Sequence, residues 1–107
     1  MQETIDKIAK FLDEKKAEDI EVFDLSNKDY IAKFVIIANA QSNKHTLALL
    51  YYIRKEIKEF GLKVYATDES DDWVVVDVGD ILIHIMTPQY RAKYSLEEFL
   101  TDLKVGD

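Results

Sequence analysis

Cysteine is absent from this 107-residue chain, proline occurs once and glycine three times. The lack of cysteine excludes disulfides, thiolate zinc sites and cysteine nucleophiles, and it fits a reducing compartment. Because proline and glycine are scarce, long loops and proline-rich linkers are not expected. The apolar share of 48% is enough to fill one core, so the composition predicts a single domain over residues 1–107.

Long hydrophobic runs are also missing. Every apolar stretch is far shorter than the roughly 20 residues that a membrane helix needs. Neither a basic-then-apolar signal segment nor an Arg/Ser-rich transit segment follows Met1. We therefore expect a soluble, cytoplasmic protein with no membrane partner.

Positive charge is in the minority, and the formal net charge is −7. A protein that gained its affinity mainly from phosphate contacts would need the opposite balance. The basic residues are scattered among acids along the predicted helices, as on an ordinary solvated surface. Direct nucleic-acid binding is therefore disfavoured as the main determinant of affinity, and a basic protein suits this charge better as a partner.

Hydrophobic spacing predicts an alternation of helices and strands. Helices are expected over residues 3–16, from the N-cap Ser42 to Gly61, and over residues 95–103. Strands are expected over residues 19–25, 34–38, 62–66, 73–78 and 81–86. This order predicts an α/β fold, a single-domain sandwich in which a mixed sheet of about five strands carries flanking helices.

The two strands before the last helix surround Gly79 and Asp80, a glycine-first pair that suits a two-residue type II′ turn. Counting outward from this turn assigns each side chain to a face of the sheet. One side receives the pairs Val78–Ile81, Val76–Ile83 and Val74–Ile85. The other side receives Asp77–Leu82, Val75–His84 and Trp73–Met86.

The first of these sides is purely β-branched and is predicted to be core. The second side combines large apolar residues with an Asp and a His, so two interpretations stay open. It is either a partner-binding surface, where Trp and Met are common and a polar rim is usual, or a face covered by a helix, with Trp73 as a core aromatic.

The positions of both histidines indicate structural roles. His84 lies within a strand, where a hydrogen-bonded structural histidine is expected. His45 follows Ser42 at a spacing that a nucleophile and its base could use, but side chains in the first turn of a helix commonly satisfy free backbone amides. The sequence therefore predicts no catalytic residue.

The acids do not form a recognisable metal site. Residues 68–72 lack the glycine and the terminal Glu of a calcium loop. Asp77 and Asp80 lie three apart across a turn, whereas nucleotidyltransferases hold magnesium with two strand-borne acids one residue apart, after a Gly-Ser that opens a helix. No phosphate-binding glycine-rich loop is present. We predict neither a metal nor another cofactor.

The segment from Trp73 to Met86 resembles the signature of the Iojap/RsfS family, in which a Trp, an aliphatic run, Asp-x-Gly-Asp, a second aliphatic run and a His recur at this spacing. The resemblance extends over nearly the whole chain, through Asp19-Ile20, Ser42-x-x-His45 and the ending Arg91-x-x-Tyr94-x-Leu96-Glu97. The chain departs from the family pattern at Lys33, Ala40, Lys44, Ala66 and Thr67, and Val78 is smaller than the apolar residue that is frequent there.

This resemblance implies a ribosomal silencing factor and not an enzyme, with a nucleotidyltransferase-like fold that lacks the catalytic residues. Such a protein docks on the large ribosomal subunit through the fourteenth ribosomal protein, blocks joining of the small subunit and represses translation. The docking surface carried over from the family consists of Trp73, Asp77, Val78, Gly79, Asp80 and His84. A nucleotidyltransferase-like enzyme and a generic dimerisation domain are the alternatives, and a homodimer of the free protein is left open.

Overall fold

The computed structural model describes residues 1–105. Within these residues, four helices and five strands follow one another. They are α1 (Gln2–Glu14), β1 (Glu18–Asp24), β2 (Phe34–Asn39), α2 (Asn43–Glu56, extended by a 3-10 turn over Ile57–Phe60), β3 (Ala66–Asp68), β4 (Trp73–Asp77), β5 (Ile81–Met86), α3 (Pro88–Tyr94) and α4 (Leu96–Val105).

The strands form one mixed sheet in the order β1-β2-β5-β4-β3. Only the central pair, β2 and β5, is parallel, and the other neighbours are antiparallel. The prediction of a mixed five-stranded sheet with flanking helices is therefore confirmed. The likeness to nucleotidyltransferases stays a prediction.

The β4–β5 hairpin has the register expected from its turn. Trp73 pairs with Met86, Val75 with His84 and Asp77 with Leu82. The Val78 amide donates to the Ile81 carbonyl over 3.0 Å, which closes the turn. Gly79 has a φ of +104°, a value that residues with a side chain rarely adopt.

One side of the sheet, the first face, packs against α1 and α2. Its strands contribute fully buried aliphatic side chains such as Val76 and Ile83. The amphipathic helices complete this core with buried Ile5, Leu12 and Leu49. The prediction that the β-branched side of the hairpin is core is confirmed.

The opposite side, the second face, holds a smaller apolar cluster. Val35, Ile37 and Met86 pack there with Phe23 of β1 and with Leu100 of α4, which is fully buried. Helix α4 therefore covers part of the second face, at the side of β1 and β2.

The predicted strand over residues 62–66 is wrong. Gly61 ends the preceding helix in a left-handed conformation, and the Leu62 amide still donates to the Ile57 carbonyl over 3.2 Å. Leu62 and Val64 pack against the first-face core from this loop, which explains their apolar alternation. The strand β3 begins only at Ala66, because Tyr65 is the first residue whose amide reaches a carbonyl of β4.

Helix α3 was not predicted. Its seven residues begin at Pro88, whose fixed φ suits the first turn of a helix. Ser95 takes a left-handed conformation that separates α3 from α4. The spacing from Ser95 to Glu98 predicts a capping box, but none forms, because Ser95 Oγ donates to the Ala92 carbonyl.

None of the helices in the described part of the chain is long and apolar enough to cross a membrane.

Candidate functional site

The candidate site is the part of the second face that α4 leaves open. A row of residues runs there across the sheet from His84 through Val75 to Asp68. The row ends in β3, and the loop between β1 and β2 lies beside it. Together they enclose an open pocket of about 320 Å³. Its lining residues are Tyr30, Ile31, Ala66, Thr67, Asp68, Val75, Asp77, Leu82 and His84.

Trp73 lies beside this pocket and is half-buried. Its indole Nε1–H donates to Nδ1 of His84 over 3.0 Å. Its ring centroid is 5.4 Å from that of Tyr94, a residue of α3 that is itself exposed. Trp73 is therefore neither a fully buried core residue nor a fully exposed surface residue. One part of the ring is fixed by the fold, and another part is available to a partner.

His84 is a structural histidine, as predicted from its strand position. Only 7% of the residue is exposed, and burial lowers its pKa to about 4. A neutral imidazole has one donor and one acceptor nitrogen. Since Nδ1 accepts from the Trp73 indole, the proton of the neutral ring is on Nε2.

Two aspartates, Asp77 and Asp80, accept hydrogen bonds that stabilise the turn of the hairpin. The Asp77 carboxylate accepts a hydrogen bond from the Gly79 amide over 2.9 Å. The carbonyl of Asp80 accepts from the amides of Lys33 and Phe34, and the Asp80 side chain is exposed. The loop between β1 and β2 is thereby fastened to the tip of the hairpin.

Gly79 also lies close to a neighbouring aromatic ring. A Cβ atom at this position would lie 3.3 Å from a ring carbon of Tyr65. Tyr65 is largely exposed and covers the turn from the side of β3. An exposed aromatic ring thus lies next to the turn at Gly79.

One of the six proposed docking residues is corrected. Val78 is only 2% exposed and lies in the first-face core, because strand alternation directs it away from the pocket. Its side chain is therefore part of the core and not of the exposed surface. Trp73, Asp77 and His84 share the second face, and Gly79 and Asp80 form the turn at its edge.

Several exposed apolar residues near the pocket were not singled out from the sequence. Ile31 is 81% exposed at the pocket rim. Phe99 of α4 is also exposed, and its ring centroid is 6.3 Å from that of Tyr30. Ile31 lies in a loop, and Phe99 shares the apolar helical spacing of Leu96, Leu100 and Leu103, so the hydrophobic pattern did not indicate that either residue is exposed.

Ser42 and His45 form a structural connection between two helices. Ser42 Oγ accepts from the His45 amide over 3.1 Å, as an N-cap. His45 Nδ1 accepts from the Gln41 amide, and its Nε2 donates to the Lys15 carbonyl at the end of α1. Because both ring nitrogens and Ser42 Oγ have backbone partners, this pair is not arranged as a nucleophile and its base.

A buried cation network lies at the end of the second face. Arg91 of α3 is 5% exposed, and all of its polar hydrogens have acceptors nearby. Its guanidinium contacts Glu97 at 2.9 Å and Glu21 at 2.8 Å, and it also donates to the Asn39 side chain and the Asp19 carbonyl. Hydrogen bonds from Arg91 lower the pKa of Glu97. The motif residues Asp19, Arg91 and Glu97 therefore hold α3 and α4 against β1 and β2.

The acidic loop before β4 has structural partners as well. Asp72 accepts from Asn43 at 2.9 Å and from Thr87 at 3.1 Å, and Glu69 pairs with Arg54 at 3.1 Å. Within residues 1–105, no group of three or more His, Asp or Glu side chains is arranged to hold a metal ion.

Comparisons with protein families, individual proteins and solved structures all show similar proteins. The family model described as "Ribosomal silencing factor during starvation" matches residues 1–107. The ribosomal silencing factor RsfS of Bacillus subtilis is 32% identical, and the alignment covers 99% of this chain and 92% of that protein. The mouse protein "Mitochondrial assembly of ribosomal large subunit protein 1" is 30% identical over 91% of this chain and 45% of its own length. A crystal structure of a Chromobacterium violaceum protein is similar with a TM-score of 0.86 and 30% identity, covering 94% of this chain and 85% of that one.

Proposed function

The chain belongs to the ribosomal silencing factor family, and on this basis we propose that it binds the large ribosomal subunit through the fourteenth protein of that subunit. Bound there, it blocks association with the small subunit and represses translation in the cytoplasm. Its net charge of −7 favours a basic partner such as a ribosomal protein.

The observation that carries this proposal is the open part of the second face. It combines a half-buried Trp73 and the exposed aromatic ring of Tyr94 with the acids Asp77 and Asp80 near the turn. Aromatic anchors surrounded by polar residues are typical of protein interfaces. The exposed parts of these rings, next to acids and an open pocket, support a docking surface.

We further propose that the chain performs no catalysis. The Ser42–His45 pair and the Asp77 carboxylate have backbone partners that fix their positions. These contacts favour a structural role over that of a nucleophile, base or metal ligand. The nucleotidyltransferase-like alternative therefore has no supporting observation among the described residues.

Sedimentation of purified bacterial large subunits with the protein tests the docking proposal through Trp73→Ala. We expect this variant to remain folded, with a loss of about 1–2 kcal/mol from the indole hydrogen bond and the Tyr94 contact. Binding should weaken by about 2 kcal/mol or more, the scale of an interface hot spot. Asp80→Ala should weaken binding with little change in stability, because an exposed turn residue has little packing to lose.

Tyr51→Ala is the matched control, because Tyr51 is an exposed aromatic residue of α2 and lies on the other side of the molecule from the second face. It should bind like the unmodified protein. If Trp73→Ala is stable and sediments with large subunits at full strength, the docking surface is elsewhere. If the unmodified protein stays at the top of the gradient, the dimerisation alternative gains support.

A further inference from the structure

The tautomer of His84 leaves one polar hydrogen for a partner. Nδ1 is occupied by the Trp73 indole at 3.0 Å, so the ring carries its hydrogen on Nε2. Within residues 1–105, no residue accepts a hydrogen bond from Nε2. Every fully buried side-chain nitrogen or oxygen in this part of the chain has a hydrogen-bond partner, so Nε2, which has none, is not fully buried. Nε2 is therefore the part of the ring that remains accessible, and His84 lines the pocket between β3 and the β1–β2 loop.

The charges around this donor select the kind of acceptor. Asp68 and Asp77 line the same pocket as His84. A carboxylate or a phosphate would be repelled by these two acids, whereas a neutral acceptor close to a positive charge would be attracted. The main-chain carbonyl is the neutral acceptor that every protein segment offers.

The pocket also has an apolar component. Val75 and Leu82 lie beside His84 on its floor, and the exposed Ile31 stands at its rim. The aliphatic stem of a lysine or arginine could cover these side chains while its charged end reaches an acid at the edge. A volume of about 320 Å³ is enough for one such side chain and the adjoining peptide group.

We propose that His84 donates from Nε2 to a main-chain carbonyl oxygen of a basic segment of the partner protein, and that Asp68 and Asp77 receive the cationic side chain of that segment. This inference rests on the proposed docking function and specifies how the pocket recognises its partner. Trp73 then has two tasks, because its ring contacts the partner and its N–H fixes the tautomer that His84 presents.

Two conservative variants separate this role from a purely structural one. In His84→Gln the side-chain amide nitrogen can take the place of Nε2, so the donor to the pocket is retained. In His84→Asn the amide oxygen can take the place of Nδ1, so the bond from Trp73 is retained and the donor is lost. With purified bacterial large subunits as the probe, we expect His84→Gln to bind nearly as well as the unmodified chain and His84→Asn to bind about tenfold more weakly.

The opposite order would mean that His84 only holds Trp73 in place, and it would overturn the proposal. Equal affinities or equal losses in both variants would overturn it as well.

NMR of the unmodified protein labelled with ¹⁵N-histidine gives an independent measurement that needs no substitution. It should show His84 protonated at Nε2 at neutral pH, and protonation at Nδ1 would exclude the proposed donor. If the unmodified protein fails to bind large subunits while this tautomer is observed, the docking function is wrong and the arrangement of His84 stands.

Discussion

The two faces of the sheet are formed by alternating residues of the same strands, yet they are built differently. The first face is closed by α1 and α2, and its side chains on β4 and β5 are all aliphatic and buried. The second face is closed by α4 only in part, and the remainder holds a half-buried tryptophan, a buried histidine and an open pocket. Stability of the fold therefore depends mainly on one face, whereas the other combines packing with groups that are available to a partner.

The largest expected difference between the faces is in their response to acid. His84 has a pKa of about 4 in the folded protein, whereas unfolded histidine titrates near pH 6.5. Between these values the unfolded chain binds a proton that the folded chain does not, so stability falls as the pH is lowered from about 6.5 to 4. The loss from this residue should approach roughly 3 kcal/mol at the acid end.

Urea unfolding at pH 7 and at pH 4.5 measures this dependence, and His84→Gln is its control. The variant lacks the titrating ring, so its stability should change less between the two pH values than that of the unmodified chain. The same slope for both proteins would show that the folded His84 titrates normally.

The same substitution, valine to alanine, at two neighbouring positions of β4 compares the packing of the two faces. Val76 is fully buried on the first face, and Val75 is half-buried on the second. Val76→Ala should lower the free energy of unfolding by about 2 kcal/mol, since it leaves a cavity in a packed core. Val75→Ala should cost less than about 1 kcal/mol. Equal losses in chemical denaturation would mean that the second face is as tightly packed as the first.

Salt should affect the second face through its partner. Acids such as Asp77 and Asp80 favour encounter with a basic protein, and this long-range attraction is screened beyond about 8 Å at physiological ionic strength. Raising the salt concentration should slow association with large subunits more than it accelerates dissociation, as followed by stopped-flow fluorescence of Trp73. An association rate that is indifferent to salt would identify the contact as essentially apolar.

The smallest expected effect is that of magnesium and ATP. Because neither face of the described chain brings together acids suited to a metal, adding both should leave the melting temperature unchanged. Binding at 100 times the dissociation constant would stabilise the fold by about 2.7 kcal/mol. A clear rise in melting temperature together with nucleotide turnover would support the enzyme alternative.

The sequence was sufficient where neighbouring residues determine the structure. The register of the β4–β5 hairpin follows from a two-residue turn and strict alternation. The same register makes Trp73 and His84 diagonal neighbours, so even their hydrogen bond was within reach of the sequence. The strand predicted over residues 62–66 failed because apolar residues alternate there for contact with a core and not for pairing with a strand.

Contacts between distant segments could not be derived in this way. Arg91 is 72 positions from its partner Asp19 and 52 from Asn39, and no periodicity connects these residues. The pocket presents the same difficulty, because Tyr30 and Ile31 reach it only through a loop that is fastened to Asp80. The resemblance to a family identified the hairpin, but it also placed the buried Val78 on the surface.

The parallel pairing of β2 with β5 has a consequence for the order in which the chain folds. Phe34 pairs with Ile81, so this central contact must close a long loop, whereas the β4–β5 hairpin closes over two residues. The hairpin, with the bond between Trp73 and His84, can therefore form early. Helix α4 follows all five strands in the chain, and until it is synthesised the apolar residues that Leu100 covers remain open to solvent. A nascent chain should thus be most prone to aggregation in the interval between these two events.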